Sequence, residues 1–169
     1  MSDETGKPAP PTPIGGLVIT LVGIIAIAGW IFLGLKLLGI TSFFASFLFF
    51  WYWAAVEEAD LKQWLQSVLG ALVGLALAWQ SHWLAAQFGT QGLIASLIVI
   101  VVAVYLQIMN WVPIAINRSA MLFLTVLAAP LILEKLEPVE TMKAIGLSAL
   151  YFGAIVKLLA MISPTKQGE

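Results

Sequence analysis

The stretch NWVPIAINR, residues Asn110 to Arg118, decides how this chain divides into membrane segments. It ends the longest uncharged run, Gln63 to Asn117, with the only arginine of the sequence. Pro113 has no N–H and disfavours helix at the residue before it. We therefore predict that one apolar span ends near this stretch and that another begins after Arg118.

Two interpretations of this break are possible, and they differ in whether it lies at the membrane surface or along a substrate path. Lipid cannot satisfy freed backbone groups, so the break lies at an interface, inside protein or against a wet cavity. In the first interpretation it is an interfacial loop that Arg118 anchors as a positive charge. In the second it is a re-entrant or pore-lining entrance, where Asn117 and Arg118 face a substrate path.

The composition is that of a polytopic membrane protein. Of the 169 residues, 61% are hydrophobic and 10% are charged, whereas a soluble domain has roughly half and a quarter. No basic patch with interleaved aromatic residues points to nucleic acid. With no cysteine and a single histidine, the sequence offers no disulfide and no cysteine or histidine cluster for a metal. We expect no cofactor, and without a catalytic motif we expect no enzyme.

Further apolar runs follow on both sides of the break, and together they predict an all-α membrane protein with six transmembrane segments. The second and fifth are too short for a comfortable crossing of about 30 Å at about 1.5 Å per residue. A flexible Pro-rich tail (residues 1–13) precedes a single transmembrane domain (14–163), and a short tail (164–169) follows it. The six segments are about Ile14–Leu38, Ser42–Val56, Trp64–Ala85, Gly92–Met109, Ser119–Leu133 and Thr141–Ile162.

The two halves of the chain, about 14–86 and 91–163, follow one plan. GLVITLV from Gly16 corresponds to GLIASLI from Gly92, and TSFFASFLFF corresponds to NRSAMLFLTV. Both halves continue into an acidic exit, EEADLK or EKLEPVETMK. Three segments per half give the halves opposite orientations, as in the inverted repeats of many transporters and channels.

Lysine and arginine positions predict the orientation. Five of these residues fall on the side of the N-terminus and three on the other side. Because positive residues favour the cytoplasmic side, we expect both termini in the cytoplasm.

Candidate site residues come from polar positions at matching points of the two halves and from small residues at helical spacing. A substrate path inside the membrane needs polar side chains, and glycines four apart let two helices approach closely. The substrate-path candidates are Asn117, Arg118, Ser119, Ser42, Ser46 and Thr125, and the helix-packing candidates are Gly70 and Gly74.

The second half resembles a known family. The run VPIAINRSAMLFLTVLAA, an acidic-to-basic connection and the helix ending in Gly153–Lys157 are similar to a small bacterial inner-membrane family known as domain of unknown function 1097. That family has a duplicated plan, with TSFFASFLFF as the counterpart segment in the first half. Ala54 to Glu58 stand where the family has a Pro-Gly-Gly-like turn. The resemblance implies the bacterial inner membrane and brings no known activity.

Two functions of different classes remain open. The first is a small-solute channel or transporter subunit, which we expect to be a homo-oligomer in the lipid bilayer because six short helices enclose little volume. The second is a non-transporting membrane subunit or substrate-binding component, which assembles with a membrane partner protein. Solute flux through the isolated protein favours the first, and co-purification of a fixed partner favours the second.

Overall fold

The computed structural model describes residues 12–162, and the regular secondary structure of this part of the chain is entirely helical. It contains six α-helices, one π-helical segment and no strand. Most of the two predicted tails, residues 1–13 and 164–169, lies outside the described residues. The helices are α1 (Pro13–Leu33, followed by the π-helical segment Gly34–Leu38), α2 (Phe44–Ala55), α3 (Leu61–Ile108), α4 (Arg118–Leu127), α5 (Pro130–Leu133) and α6 (Pro138–Ile162).

Three helices in the described residues are long and apolar enough to cross a membrane. They comprise Pro13–Leu38, Leu61–Ile108 and Pro138–Met161. The prediction of six such segments is therefore not met by helix length and composition. The apolar helices α2 and α4 have only 12 and 10 residues, and the predicted third and fourth segments run together as the 48 residues of α3.

Helix α3 is interrupted between the predicted third and fourth membrane segments, Trp64–Ala85 and Gly92–Met109. Gly89 has φ 55° and ψ −130°, which are not helical angles and which suit glycine. A Cβ atom added at Gly92 would overlap the Leu84 carbonyl, although residues eight apart in a straight helix are about 12 Å apart. The chain therefore turns sharply at Gly89.

One proline-linked boundary agrees with the sequence prediction, and a second departs from it. Helix α3 ends at Ile108, and α4 begins at Arg118, so the residues around Pro113 are non-helical as predicted. The fifth segment, predicted as one span from Ser119 to Leu133, is instead divided into α4 and α5 at Ala128–Ala129, just before Pro130. A proline suits the first turn of a helix and cannot continue one.

The chain divides into two compact units, and the boundary along the sequence falls between Gly39 and Ile40. The first contains α1 and the π-helical segment, which ends at Gly39 in a left-handed conformation with φ 62°. The second contains α2 to α6. All the sites described below belong to the second unit.

The short helices form the core of the second unit. Helix α2 buries Ala45, Ser46, Phe49, Tyr52 and Trp53, and α4 buries Ser119, Ala120, Phe123, Leu124 and Leu127. In the apolar stretches of α3 and α6, only 17% and 28% of residues are buried. The long helices therefore present apolar surface outward, while the two short helices fill the interior.

Helix α4 packs closely on the first part of α3 at two glycines. A Cβ atom at Gly74 would lie 2.6 Å from Cβ of Phe123, and one at Gly70 would lie 2.9 Å from Cβ of Ser119. The buried Ser119 hydroxyl donates to the Ser67 carbonyl at 2.8 Å. The small residues thus allow a contact that no larger side chain would permit.

Helix α2 packs on α6 through buried serines. The Ser46 hydroxyl donates to the Ala144 carbonyl at 2.7 Å, and the Ser148 hydroxyl donates to the Ser46 carbonyl at 2.9 Å. Each short helix therefore lies against a long helix of the other half of the sequence.

Candidate functional site

A polar cavity lies at the non-helical stretch before α4. Its volume is about 360 Å³, and we call it the Arg118 cavity. It joins the end of α2, the first turns of α3, the end of α3 and the start of α4. Its lining residues are Tyr52, Glu57, Gln63, Gln66, Ser67, Gln107, Asn110, Pro113, Ile116, Asn117 and Arg118.

Asn117 holds the start of α4 in place. Its side-chain oxygen accepts from the Ala120 amide at 3.2 Å, which caps the helix. Its side-chain nitrogen donates to the carbonyls of Gln66 at 2.8 Å and Pro113 at 3.1 Å. Because both polar atoms of the amide are engaged, Asn117 positions the wall of the cavity.

Tyr52 and Glu57 also line the cavity. The Tyr52 hydroxyl donates to a Glu57 carboxylate oxygen at 2.5 Å, so the end of α2 is tied to the turn that follows it. Tyr52 and Glu57 share this lining with Asn117 and Arg118 of the α4 start. The end of α2 and the start of α4 are therefore neighbours.

The turn between α2 and α3 fixes the place of Glu57. Glu58 and Ala59 have φ values of 51° and 55°, in a region that residues other than glycine rarely adopt. The Trp53 indole donates to the Asp60 carbonyl at 3.0 Å, and the Asp60 side chain accepts from the Lys62 amide at 2.8 Å. These bonds hold the strained turn closed.

Three polar side chains of the cavity have no partner among the described residues. The guanidinium of Arg118 and the amides of Gln107 and Asn110 make no hydrogen bond or ion pair there. Arg118 is exposed, and a guanidinium offers five N–H donors in a fixed plane. The cavity thus contains N–H donors without partners together with the Glu57 carboxylate, one oxygen of which accepts the Tyr52 hydroxyl.

A second cavity lies at the other ends of the short helices. Its volume is about 190 Å³, and its lining includes Ser42, Phe44, Leu127, Lys135 and Glu140. One oxygen of Glu140 accepts three hydrogen bonds, from the Thr41 amide, the Thr41 hydroxyl and the Ser42 amide, at 2.6 to 2.9 Å. We call this space the Glu140 cavity.

The six predicted substrate-path residues separate into three environments. Asn117 and Arg118 line the Arg118 cavity, and Ser42 lines the Glu140 cavity. The buried Ser46 and Ser119 bond to carbonyls of neighbouring helices. Thr125 is exposed and donates to the Met121 carbonyl of its own helix at 2.8 Å. The two packing candidates, Gly70 and Gly74, lie against α4.

Sequence reasoning missed several residues of the Arg118 cavity. Glu57 belongs by sequence to the acidic exit EEADLK and is not among the predicted site residues, yet its carboxylate accepts the Tyr52 hydroxyl. Gln63 and Gln66 were not selected, although they lie three apart on α3, line the cavity and bond to each other. Their spacing at a helix start, next to the acidic exit, was the available signal.

Comparisons with protein-family models, curated proteins and solved structures find no match for this chain. No cluster of three or more metal-ligating side chains is present in the described residues. The geometry of the two cavities is therefore the basis for a functional assignment.

Proposed function

We propose that this protein is a membrane channel or transporter subunit for a small polar solute, whose path runs along the two short helices. The observation that carries the proposal is the pair of cavities at opposite ends of α2 and α4, each with charged and polar side chains in its lining. The Arg118 cavity joins the end of α2 to the start of α4, and the Glu140 cavity joins the start of α2 to the end of α4.

Helix length supports this path. At about 1.5 Å per residue, the 12 residues of α2 and 10 of α4 extend about 18 Å and 15 Å, less than the roughly 30 Å of hydrocarbon. If the long helices span the bilayer, the ends of the short helices lie within its depth. Backbone there is tolerated only where protein or water satisfies it, and the two cavities supply such places.

The crossed packing of the short helices supports an inverted repeat. Ser119 of α4 bonds to Ser67 in the first turns of α3, and Ser46 of α2 bonds to Ala144 in the first turns of α6. In this proposal, the parts of α3 before and after Gly89 are separate segments, which with α1, α2, α4 and α6 make six. The functional site then lies between the halves, where inverted-repeat transporters place theirs.

A topology measurement tests this architecture. Six segments with both termini cytoplasmic place reporters fused at Glu169 and inserted in the connection 134–141 on opposite sides of the bacterial inner membrane. A reporter on the surface turn at Asp60 is the control and should match Glu169. Reporters at Glu169 and in the connection on the same side would refute the six-segment model.

Solute flux tests the function itself. The full chain, reconstituted alone in liposomes, should accelerate the equilibration of small polar solutes above protein-free vesicles. Its oligomeric state, which we propose is a homo-oligomer, is measured in the same detergent preparation. No flux for any of a panel of neutral, zwitterionic and charged solutes would contradict the proposal.

One observation favours the alternative of a non-transporting subunit. Helix α1 belongs to a separate compact unit, and Trp30 is its only buried residue. An apolar face of this kind can contact lipid or dock a membrane partner. A partner that co-purifies in fixed ratio, together with absent flux, would assign the protein to this class.

A further inference from the structure

We propose that the Arg118 cavity binds a small zwitterion, a solute with one carboxylate and one cationic amine, between Arg118 and Glu57. This inference rests on the proposed function and names its substrate class. It follows from which polar atoms of the cavity are engaged and which are open.

The open donors of the cavity belong to three of its lining side chains. The Arg118 guanidinium and the amides of Gln107 and Asn110 have no partners among the described residues. A guanidinium matches a carboxylate through two parallel N–H···O bonds. A solute carboxylate is the complementary group for these donors.

The open acceptor is on the Glu57 side. One oxygen of Glu57 accepts the Tyr52 hydroxyl, which orients the carboxylate. The other oxygen makes no bond with the described residues. An ammonium group donates three hydrogen bonds and suits this oxygen.

The charges of the cavity balance. Arg118 and Glu57 are its only charged lining residues, and they form no direct ion pair within the described part of the chain. A simple anion would meet the repulsion of Glu57, and a simple cation would meet that of Arg118. A zwitterion pairs with both charges at once, whereas a singly charged solute pairs with only one of them.

Binding to the purified full chain in detergent tests the inference with a matched set of probes. Glycine and the longer 4-aminobutyrate are zwitterions, glycolate is an anion, and ethanolamine is a cation. We expect one of the zwitterions to bind about tenfold or more tightly than glycolate and ethanolamine, since a site built for two polar groups rejects a solute lacking one. Equal affinities across the set would overturn the inference.

Two substitutions assign the ends of the solute. Glu57→Gln should remove the advantage of the zwitterion over glycolate, and Arg118→Gln should remove its advantage over ethanolamine. Glu58→Gln is the control, because Glu58 is exposed and does not line the cavity. If Glu57→Gln behaves like Glu58→Gln, Glu57 does not bind the amine and the inference fails.

The flux assay separates this inference from the proposed function. Flux without preference for zwitterions leaves the transport proposal intact and refutes the substrate class. Zwitterion binding without flux supports the site and contradicts transport, which points to a substrate-binding subunit.

Discussion

The start of each short helix, which we call its entrance, needs hydrogen-bond partners for its backbone. Different chemical groups supply these partners at α2 and α4. The start of α4 is capped by its own neutral Asn117, whereas the turn before α2 is held by Glu140, a carboxylate from the distant α6. In a membrane interior, either backbone must be satisfied by protein or water. The comparison shows that a neutral cap leaves the nearby charged side chain open, whereas a charged cap is itself occupied by the backbone.

At the α4 entrance, the cap uses no charge. Asn117 engages both of its polar atoms with the backbone, and Arg118 is left without a partner in the described residues. At the α2 entrance, the charge itself is the cap, since one oxygen of Glu140 accepts three hydrogen bonds. We therefore expect ligand binding at the first entrance and a structural role at the second.

The largest expected effect concerns the close packing behind the α4 entrance. Gly74→Leu places a large side chain where even a Cβ atom would lie 2.6 Å from Cβ of Phe123. Overpacking of this kind costs about 1–3 kcal/mol, and it should lower the thermal midpoint in detergent and weaken assembly. Gly70→Leu should act in the same way, because it displaces Asn117 and Ser119.

Gly146→Leu on α6 is the matched control for the glycine substitutions. No atom lies within 4 Å of a Cβ atom added at Gly146, so its midpoint should remain near that of the natural protein. If Gly74→Leu and Gly146→Leu have the same midpoint and oligomer size, the close packing of α4 on α3 contributes nothing to stability.

The next effect compares the two caps directly. Asn117→Ala removes a helix cap, which costs about 0.5–2 kcal/mol, and should increase amide hydrogen exchange at Ala120. Glu140→Ala should instead increase exchange at Thr41 and Ser42. Each variant should leave the other entrance protected. Faster exchange at both entrances in either variant would show that the caps are not independent.

A smaller effect is expected from the buried serines that join the short helices to the long ones. Ser46→Ala and Ser119→Ala each remove one buried hydrogen bond, and each should cost about 0.5–1.5 kcal/mol. Thr125→Val serves as control, since Thr125 is exposed and bonds within its own helix. If Thr125→Val lowers the free energy of unfolding as much as the serine variants do, the hydrogen bonds between helices do not explain the loss of stability.

The smallest effect on folding and the sharpest on function is expected for Arg118→Lys. Because the charge is kept, the topology should be unchanged, and the free energy of unfolding should change by no more than about 0.5 kcal/mol. The planar donor geometry is lost, so solute flux should fall. Lys62→Arg, at an exposed position outside both cavities, is the control. A silent Arg118→Lys in a working flux assay would return Arg118 to the role of a loop anchor.

Local chemistry alone determined several features of this protein. Pro113 lacks an N–H, so the break beside it could be predicted from sequence. The sequence also shows that the second and fifth segments are short, because polar or helix-breaking residues stand at their ends. Of the Arg118 cavity, Asn117 and Arg118 could be identified because they adjoin the break.

Tertiary structure decided which polar residues are accessible and which are structural. Ser46, Ser119 and Arg118 are all polar residues of apolar segments, yet two are buried between helices and one lines a cavity. The partners that make this difference lie far along the chain, as Ser46 and Ala144 do, 98 residues apart. Local propensity and periodicity describe one helix at a time, and they carry no information on which distant carbonyl a hydroxyl will meet. The same reason explains why Glu57, an exit residue by sequence, became a wall of the cavity only when α2 and α4 came together.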